Sequence, residues 1–210
     1  MAGFKTISVG ADIEMVIQLF RWLTLVGVLF WMVIYWQGGK KVFQDIRSAM
    51  HERASDLDAP LMVIMSAVSL MMVATAVLVA LGMGGNEIIP GEIAVILGCL
   101  LCFAGVAGTF YCRHVLGQFW TAETSLQRDH RVMDQGPYGM VRHPIYSFAI
   151  LLYAGLGLVF STGWCLGMAG IMLLGYLLKA WDENRYLERN LAGYREYQQR
   201  VRYRLIPWLW

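Results

Sequence analysis

The residues best suited to chemistry lie in the stretch GPYGMVRHPIYSF, at positions 136–148. Arg142, His143 and Pro144 stand there directly before an apolar run. A proline fits the first turn of a helix because that position needs no amide donor, and the residue before a proline is biased away from helical backbone angles. We therefore expect His143 to be presented at the start of a helix. The positive end of the helix dipole and the Arg142 guanidinium would attract a carboxylate or a phosphate to that position.

Two acidic residues are predicted to return to the same place. The apolar runs 144–160 and 164–181 would be helices of about 25 and 27 Å, and only a short polar connection separates them. A tight hairpin of this kind places Asp182 and Glu183, which follow the second run, next to His143. The alternatives at this level are that the basic residues anchor the chain at a membrane surface and that the acidic pair forms a solvated helix end.

The composition indicates an all-α integral membrane protein. Hydrophobic residues make up 58% of the chain and charged residues only 15%, against about 25% charged residues in soluble domains. Apolar runs of about 20 residues mark membrane-spanning helices. Five spans are predicted, the last two forming the hairpin, at Val16–Trp36, Leu61–Gly82, about 91–112, Pro144–Phe160 and Trp164–Trp181.

The distribution of basic residues predicts the orientation of these spans. Segments 37–60 and 113–143 each hold four Lys or Arg residues and segment 179–210 holds seven, whereas 83–90 and 161–163 hold none. By the positive-inside rule, the N-terminus lies outside and the C-terminus in the cytosol, in the cytoplasmic membrane if the source is prokaryotic. The apolar run near the N-terminus is long enough to span and is expected to stay as the first span.

These spans divide the chain into two predicted regions. Residues 1–112 form three N-terminal spans with a cytosolic loop at 37–60, and residues 113–210 form a region with a connector, the hairpin and a C-terminal helix. That last helix is predicted to be amphipathic, to lie on the cytosolic membrane face and to end at Pro207. Its apolar positions are Leu187, Leu191, Tyr194, Val201 and Leu205.

Smaller patterns are assigned packing roles. Trp31, Tyr35 and Trp36 resemble an aromatic belt at the membrane interface, and Gly163, Gly167 and Gly170 recur at a spacing that suits a helix-packing seam. The four cysteines lie in or beside apolar segments and are interpreted as small core residues. No cluster has the spacing of metal ligands, and a net charge of only +2 gives no reason to expect a nucleic-acid partner.

The motifs at 136–146 and 183–207 resemble those of the isoprenylcysteine carboxyl methyltransferase family and of the related phospholipid methyltransferases. The residues that carry this resemblance are Gly136-Pro137-Tyr138, Val141-Arg142-His143-Pro144-x-Tyr146, the preceding His130-Arg131-Val132, the segment Glu183 to Tyr197, Val201 and Ile206-Pro207. The family's paired glutamates appear here as Asp182-Glu183 or Glu183-Asn184. The resemblance covers about residues 113–210.

The resemblance implies a methyltransferase that uses S-adenosylmethionine, bound in the C-terminal half rather than in a Rossmann domain. The cofactor-binding residues that it implies are His130, Gly136, Pro137, Tyr138, Arg142, His143, Pro144, Tyr146 and Glu183. The catalytic residues that it implies are Glu183, Arg185 and Arg142. The expected partners are membrane lipids and a lipophilic or prenylated substrate whose tail stays in the hydrocarbon.

Two acceptor classes demand different residues from this site. A carboxylate acceptor, as in isoprenylcysteine O-methylation, needs no base, so a cation such as Arg185 or Lys179 would position it. An amine acceptor, as in phospholipid N-methylation, must lose a proton, and Glu183 becomes the candidate base. Carboxyl methylation is the expectation. The alternatives are phospholipid N-methylation, an NADPH-dependent sterol or steroid reductase, and a membrane module without enzymatic activity.

Overall fold

The computed structural model describes residues 6–49, 57–89, 91–120, 124, 126 and 130–210, with the side chains of 6–10, 35–49 and 59 left out. These residues form six α-helices: α1 (Thr6–Ala49), α2 (Asp58–Ala80), α3 (Glu92–Leu116), α4 (Pro144–Phe160), α5 (Gly163–Asn190) and α6 (Tyr194–Arg200). Two short 3-10 helices, Gly117–Phe119 and Gly136–Gly139, lie in the segment between α3 and α4.

The long helices have the length and composition of membrane spans. Within the described residues, four are long and apolar enough to cross a bilayer, at Ala11–Ile34, Pro60–Ala80, Glu92–Phe119 and Gly163–Asn190. Pro144–Phe160 is apolar but shorter, so five spans and their orientation stay a prediction. Large apolar side chains such as Phe30, Val63 and Phe103 are exposed on the outside of the bundle, as expected for surfaces that face lipid. The chain is a multi-pass membrane protein.

The first helix differs from its prediction. The backbone of α1 continues to Ala49, so residues 37–49 of the predicted loop are helical. The sequence predicts an interfacial position for Trp31, but Trp31 is buried and its indole N–H donates to Thr109 Oγ1 at 3.0 Å. The side chains of Tyr35 and Trp36 lie outside the described set. The hydrogen bond to Thr109 satisfies the indole donor, so the Trp31 ring is buried inside the bundle without an unpaired polar group.

The predicted hairpin is present and is the element that positions the site. Helices α4 and α5 pack against each other and are joined through Ser161 and Thr162. The Thr162 side chain caps α5 by accepting from Cys165 N. Ser161 N bonds back to Gly157 O at 2.8 Å, and Ser161 O accepts from Ile88 N at 2.8 Å. The turn is therefore closed on itself and fastened to the loop between α2 and α3.

The packing seam of small residues lies on different helices from those predicted. A Cβ at Gly167 or Gly170 on α5 would meet nothing within 4 Å. On α3 and α4 the glycines are in close contact, because a Cβ at Gly98 would lie 2.8 Å from Gly155 O and one at Gly155 would lie 2.6 Å from Gly98 O. Helix α3 packs more extensively on α4 than any other described pair of elements. Small residues at this contact let the two backbones approach.

The C-terminal region is also arranged differently from the expected amphipathic helix. Helix α5 runs to Asn190, Gly193 takes a left-handed φ of 79°, and α6 contains only seven residues. Leu191, Tyr194, Tyr197 and Val201 are buried together rather than facing a membrane surface. Gly193 lets the chain reverse at low conformational cost, so these side chains turn back towards the site instead of continuing along one helix face.

The tail beyond α6 pairs with the segment that precedes α4. Arg142 N donates to Tyr203 O and His143 N donates to Arg204 O, both at 2.9 Å. Ser147 Oγ donates to Leu205 O at 2.6 Å. We call residues 201–206 the tail. It fixes the backbone on which Arg142 and His143 stand.

Candidate active site

A cavity of about 360 Å³ opens at the end of the bundle where α2 and α4 begin. Its polar part is lined by His130, Arg131, Tyr138, Arg142, His143, Tyr146, Glu183, Tyr194 and Tyr197. From there it continues between the helices along Trp31, Met62, Met65, Ser69, Leu70, Tyr153 and Tyr176. Ser69 lies eleven residues after Asp58, about 16 Å along the helix. The cavity thus joins a polar mouth to an apolar depth.

His143 stands at the start of α4, as expected from the proline that follows it. It is the N-cap residue, with φ −127° and ψ 61°, and Pro144 occupies the first helical position. The amides of Arg142 and His143 are engaged by the tail, so the predicted anion site cannot use them. The buried Arg142 Nε and His143 Nε2 remain without a hydrogen-bond partner. Unpaired buried polar atoms are rare and costly, so these two atoms mark a candidate position for a ligand.

The electrostatic surroundings keep His143 neutral. Burial, followed by the positive charges of Arg142, Arg204 and Lys179, lowers the pKa of His143 to about 3. Its Nδ1 lies 3.9 Å from Glu183 Oε2, but burial and three cations outweigh this carboxylate. A neutral imidazole offers one acceptor and one donor. His143 therefore presents a hydrogen-bonding group rather than a charge, and burial also lowers the pKa of His130 at the same mouth.

Glu183 is held against the mouth by Tyr146. The Tyr146 hydroxyl donates to Glu183 Oε2, and the Tyr146 ring stacks on His143 with 5.6 Å between ring centroids. The Tyr176 ring follows at 5.5 Å from Tyr146, and Tyr153 at 6.1 Å from Tyr176. Tyr153 OH and Ser69 Oγ are hydrogen-bonded at 2.6 Å. A row of tyrosines thus leads from Glu183 down one wall of the cavity.

A second polar cluster lies one helical turn from Glu183. Lys179, a buried residue of α5 that lines the cavity, forms an ion pair with Asp58 at the start of α2. Asp58 also accepts from Thr124 N and Thr124 Oγ1, both at 3.0 Å. Helices α2 and α5 and the segment between α3 and α4 therefore meet at one carboxylate.

The cofactor-binding residues implied by the family resemblance divide into two groups. His130, Tyr138, Arg142, His143, Tyr146 and Glu183 line the cavity. Gly136, Pro137 and Pro144 do not line it and instead shape the backbone beside it: Gly136 has a φ of 56°, and a Cβ there would lie 3.2 Å from the Tyr111 hydroxyl. Asp182 is half-buried and lies outside the lining.

Arg185 is not brought to the cavity. Its side chain is exposed, and its guanidinium lies 4.6 Å from the centre of the Trp181 ring. Successive residues of a helix point about 100° apart, so Arg185 lies on another face of α5 from Glu183. A role for Arg185 in positioning an acceptor finds no support in this placement.

Sequence reasoning missed Asp58, Thr124 and the deep tyrosines. One signal could have located Asp58. Lys179 lies inside an apolar run, and a cation at that depth needs an anionic partner from a neighbouring helix. Asp58, just before the second apolar run, is at a matching depth. Thr124 carries no comparable signal, because nothing local distinguishes it from other threonines.

Comparison with protein families gives a match over part of the chain. Residues 93–192 match the family model described as phospholipid methyltransferase, and no curated protein matches the chain. The matched segment includes α3, α4 and α5 with His143, Tyr146 and Glu183, whereas Asp58 and the tail lie outside it. Together with the apolar helices, the match supports a membrane methyltransferase that acts on lipid-like substrates. Over this segment, just under half its length, the chain is similar to the phospholipid methyltransferases.

Proposed function

We propose that this protein is a membrane-embedded methyltransferase that transfers a methyl group from S-adenosylmethionine to an amphiphile. The observation that carries the proposal is a cavity in which a polar mouth, with Arg142, His143 and Glu183, is continuous with an apolar depth between the helices. A water-soluble donor and a lipid acceptor can meet there without the lipid leaving the bilayer. We place the mouth at the cytosolic face, with the N-terminus outside.

The residues of the mouth suit S-adenosylmethionine. That cofactor supplies an electrophilic methyl group on a sulfonium centre that leaves as a neutral thioether. The unpartnered Arg142 Nε and His143 Nε2 offer donors or an acceptor for its amino-acid or nucleoside groups. The rings of Tyr146, Tyr138 and Tyr194 line the same space, and aromatic faces stabilise a sulfonium by cation–π attraction. His143, being neutral, adds no repulsion to a cationic ligand.

The depth of the cavity suits an alkyl or isoprenoid tail. Met62, Met65 and Leu70 of α2 line it, and methionine side chains adapt to irregular apolar ligands. Helix α2 packs on α5, and Ser69 and Tyr153 satisfy each other across the depth. A lipid chain that enters between the helices therefore buries apolar surface, and the Ser69 and Tyr153 hydroxyls stay paired with each other.

The charges near the acceptor position favour an amine over a carboxylate. Carboxyl methylation of an isoprenylcysteine-like acceptor would need a cation near Glu183, but Arg185 lies outside the cavity and Lys179 is paired with Asp58. Arg131 and Arg142 line the mouth, where we place the methyl donor. Glu183 is present instead and would repel a carboxylate. We therefore favour N-methylation of an amine-headed lipid. Glu183 takes the proton from the ammonium group, and the freed nitrogen lone pair then forms the N–C bond while the C–S electron pair departs with sulfur.

A direct assay tests this proposal. The purified protein in lipid nanodiscs is given S-adenosylmethionine with a labelled methyl group, and transfer is compared between phosphatidylethanolamine and a farnesylated cysteine. We expect transfer to the amine, reduced about 100-fold or more by Glu183→Gln. Glu188→Gln is the matched control, because Glu188 lies on the same helix in an exposed pair with Arg195. Transfer to the farnesylated cysteine alone would overturn the acceptor assignment.

A further inference from the structure

We propose that Asp58 determines which headgroup the cavity accepts: by neutralising Lys179, it makes the acceptor region favour ammonium over carboxylate headgroups. This inference rests on the proposed function and assigns a specificity role to a residue outside the matched segment. Asp58 is a positioning residue in this account, because it acts through Lys179.

The contacts of Asp58 exceed what a helix end requires. Asp58 is 2% exposed and Lys179 6%. Oδ1 of Asp58 binds Lys179 Nζ and the Thr124 hydroxyl, and Oδ2 binds Thr124 N. Hydrogen bonds that involve an ionised group are the strong ones, so this cluster holds both side chains in fixed positions beside the cavity.

Lys179 lines the cavity, so its pairing with Asp58 changes the charge of the cavity wall. Lys179 and Glu183 are four residues apart on α5 and line the cavity together. Among described residues, they are the only charged lining residues contributed by α1, α2, α4 or α5. Arg131 and Arg142 line the mouth from the segment between α3 and α4.

A charge count of this region shows what Asp58 changes. With Asp58 present, the Lys179 charge is cancelled and Glu183 leaves the region with one net negative charge. Without it, Lys179 is left one turn from Glu183, the two charges sum to zero, and the net negative charge that favours an ammonium headgroup is gone. Charge complementarity of this kind sets specificity more than overall affinity.

The test measures binding of two amphiphiles with the same tail. Hexadecylamine and hexadecanoate are titrated calorimetrically into the protein in an uncharged detergent at about pH 8, where the amine is protonated and the acid ionised. No methyl donor is present. The native protein should bind the amine more tightly, and Asp58→Asn should remove this preference, with a change of about tenfold or more in the ratio of dissociation constants.

Two double variants separate charge from structure. Asp58→Asn with Lys179→Arg keeps a cation that cannot lose its proton, so the preference for the amine should again be lost. Asp58→Asn with Lys179→Gln removes both charges, so the native preference should return although the contacts of Asp58 are lost. Asp12→Asn, a change of the same type on the exposed N-terminal part of α1, should leave the preference unchanged.

The outcomes distinguish this inference from its alternatives. If every variant at Asp58 loses both amphiphiles equally, Asp58 only ties the segment containing Thr124 to the bundle and the inference is wrong. If the variant with Lys179→Arg still prefers the amine, the inference is also wrong. If the preference is lost as expected in Asp58→Asn while no methyl transfer is detected, the specificity role stands and the proposed function fails.

Discussion

At the scale of single residues, the pair of Tyr146 and Glu183 has the clearest consequences. Glu183 is half-buried, and the Tyr146 hydroxyl is its hydrogen-bond donor. The same ring stacks on His143. A base for an ammonium group must be aimed as well as present, because proton transfer needs hydrogen-bond distance. Tyr146 fixes both Glu183 and the imidazole that borders the proposed donor site.

Removing only the Tyr146 hydroxyl should therefore reduce methyl transfer. For Tyr146→Phe we expect kcat to fall about tenfold, because Glu183 loses the group that orients it while the ring and its stacking remain. The dissociation constant of S-adenosylhomocysteine should change by less than about threefold. Tyr203→Phe is the control, since Tyr203 does not line the cavity. An unchanged kcat in Tyr146→Phe would contradict the orienting role.

His143 should make the stability of the ligand-free protein depend on pH. Its pKa is about 3 in the folded protein, because it is buried among cations, and about 6.5 in an unfolded chain. Below about pH 6.5 the unfolded state binds a proton that the folded state excludes, so stability falls as pH decreases towards 3. Between about pH 8 and about pH 5 the loss should be about 2 kcal/mol.

The measurement is the thermal denaturation temperature in detergent across this pH range, for native protein and His143→Asn. The variant lacks the titrating group, so its denaturation temperature should decline less steeply as pH falls. Parallel curves for the two proteins would contradict a buried, neutral His143.

At the scale of helices, the contact between α3 and α4 holds the site segment in place. Gly98 and Gly155 bring the two backbones together, and α4 begins at the residue after His143. Sequence spacing predicted a small-residue seam on α5 instead. Spacing alone identifies a face of small residues but does not say which neighbour covers that face, so Gly167 and Gly170, which meet nothing, look the same in the sequence as Gly98 and Gly155, which meet a backbone.

Alanine substitutions should distinguish the glycines at the contact between α3 and α4 from the glycines on α5. Gly155→Ala places a Cβ 2.6 Å from Gly98 O and 2.7 Å from Cys102 N, and backbone atoms cannot move aside as a flexible side chain could. We expect a destabilisation of about 1–3 kcal/mol. Gly170→Ala is the matched control, because open space surrounds that position and alanine favours a helix by up to about 1 kcal/mol. Equal effects of the two substitutions on the denaturation temperature would contradict the assigned seam.

At the scale of the whole molecule, polar contacts fasten the two ends of the bundle. At the end opposite the cavity mouth, Arg21 of α1 pairs with Glu87 in the loop between α2 and α3, and its Nε donates to Val159 O of α4 at 3.2 Å. At the mouth, Asp58, Lys179 and Thr124 join α2, α5 and the segment before α4. The cavity lies between helices held at both ends, which limits how far they can separate when a lipid enters.

The far end should contribute to stability without affecting ligand binding. Glu87→Gln leaves the buried Arg21 without its carboxylate partner. We expect the free energy of unfolding to fall by about 2 kcal/mol, which is less than for a fully buried pair, because the Glu87 side chain is 29% exposed. S-adenosylhomocysteine affinity should remain within about twofold of the native value. Denaturation in detergent and a binding titration on the same sample check both parts. A large loss of affinity would show that the two ends are coupled.

The architecture follows from the sequence where local signals suffice. Apolar runs located the long helices, Pro144 marked the start of α4, and matching the lengths of α4 and α5 predicted that Glu183 returns to His143, which the structure places 3.9 Å away. Contacts between distant segments carried no such signal. Asp58 and Lys179 are 121 positions apart. The pairing of the tail with Arg142 and His143 depends on the chain reversal at Gly193. The apolar residues on both sides of Gly193 recur at helical spacing, so the sequence pattern predicted a continuous helix there.

The most direct test of the central claim is a thermal-shift measurement with S-adenosylhomocysteine and, separately, NADPH on the protein purified in detergent. If the cavity mouth binds S-adenosylmethionine, S-adenosylhomocysteine should raise the denaturation temperature of the native protein, NADPH should not, and His143→Ala should abolish the shift while Asp12→Asn retains it. Stabilisation by NADPH alone, or an equal shift with S-adenosylhomocysteine in native protein and His143→Ala, would contradict the account.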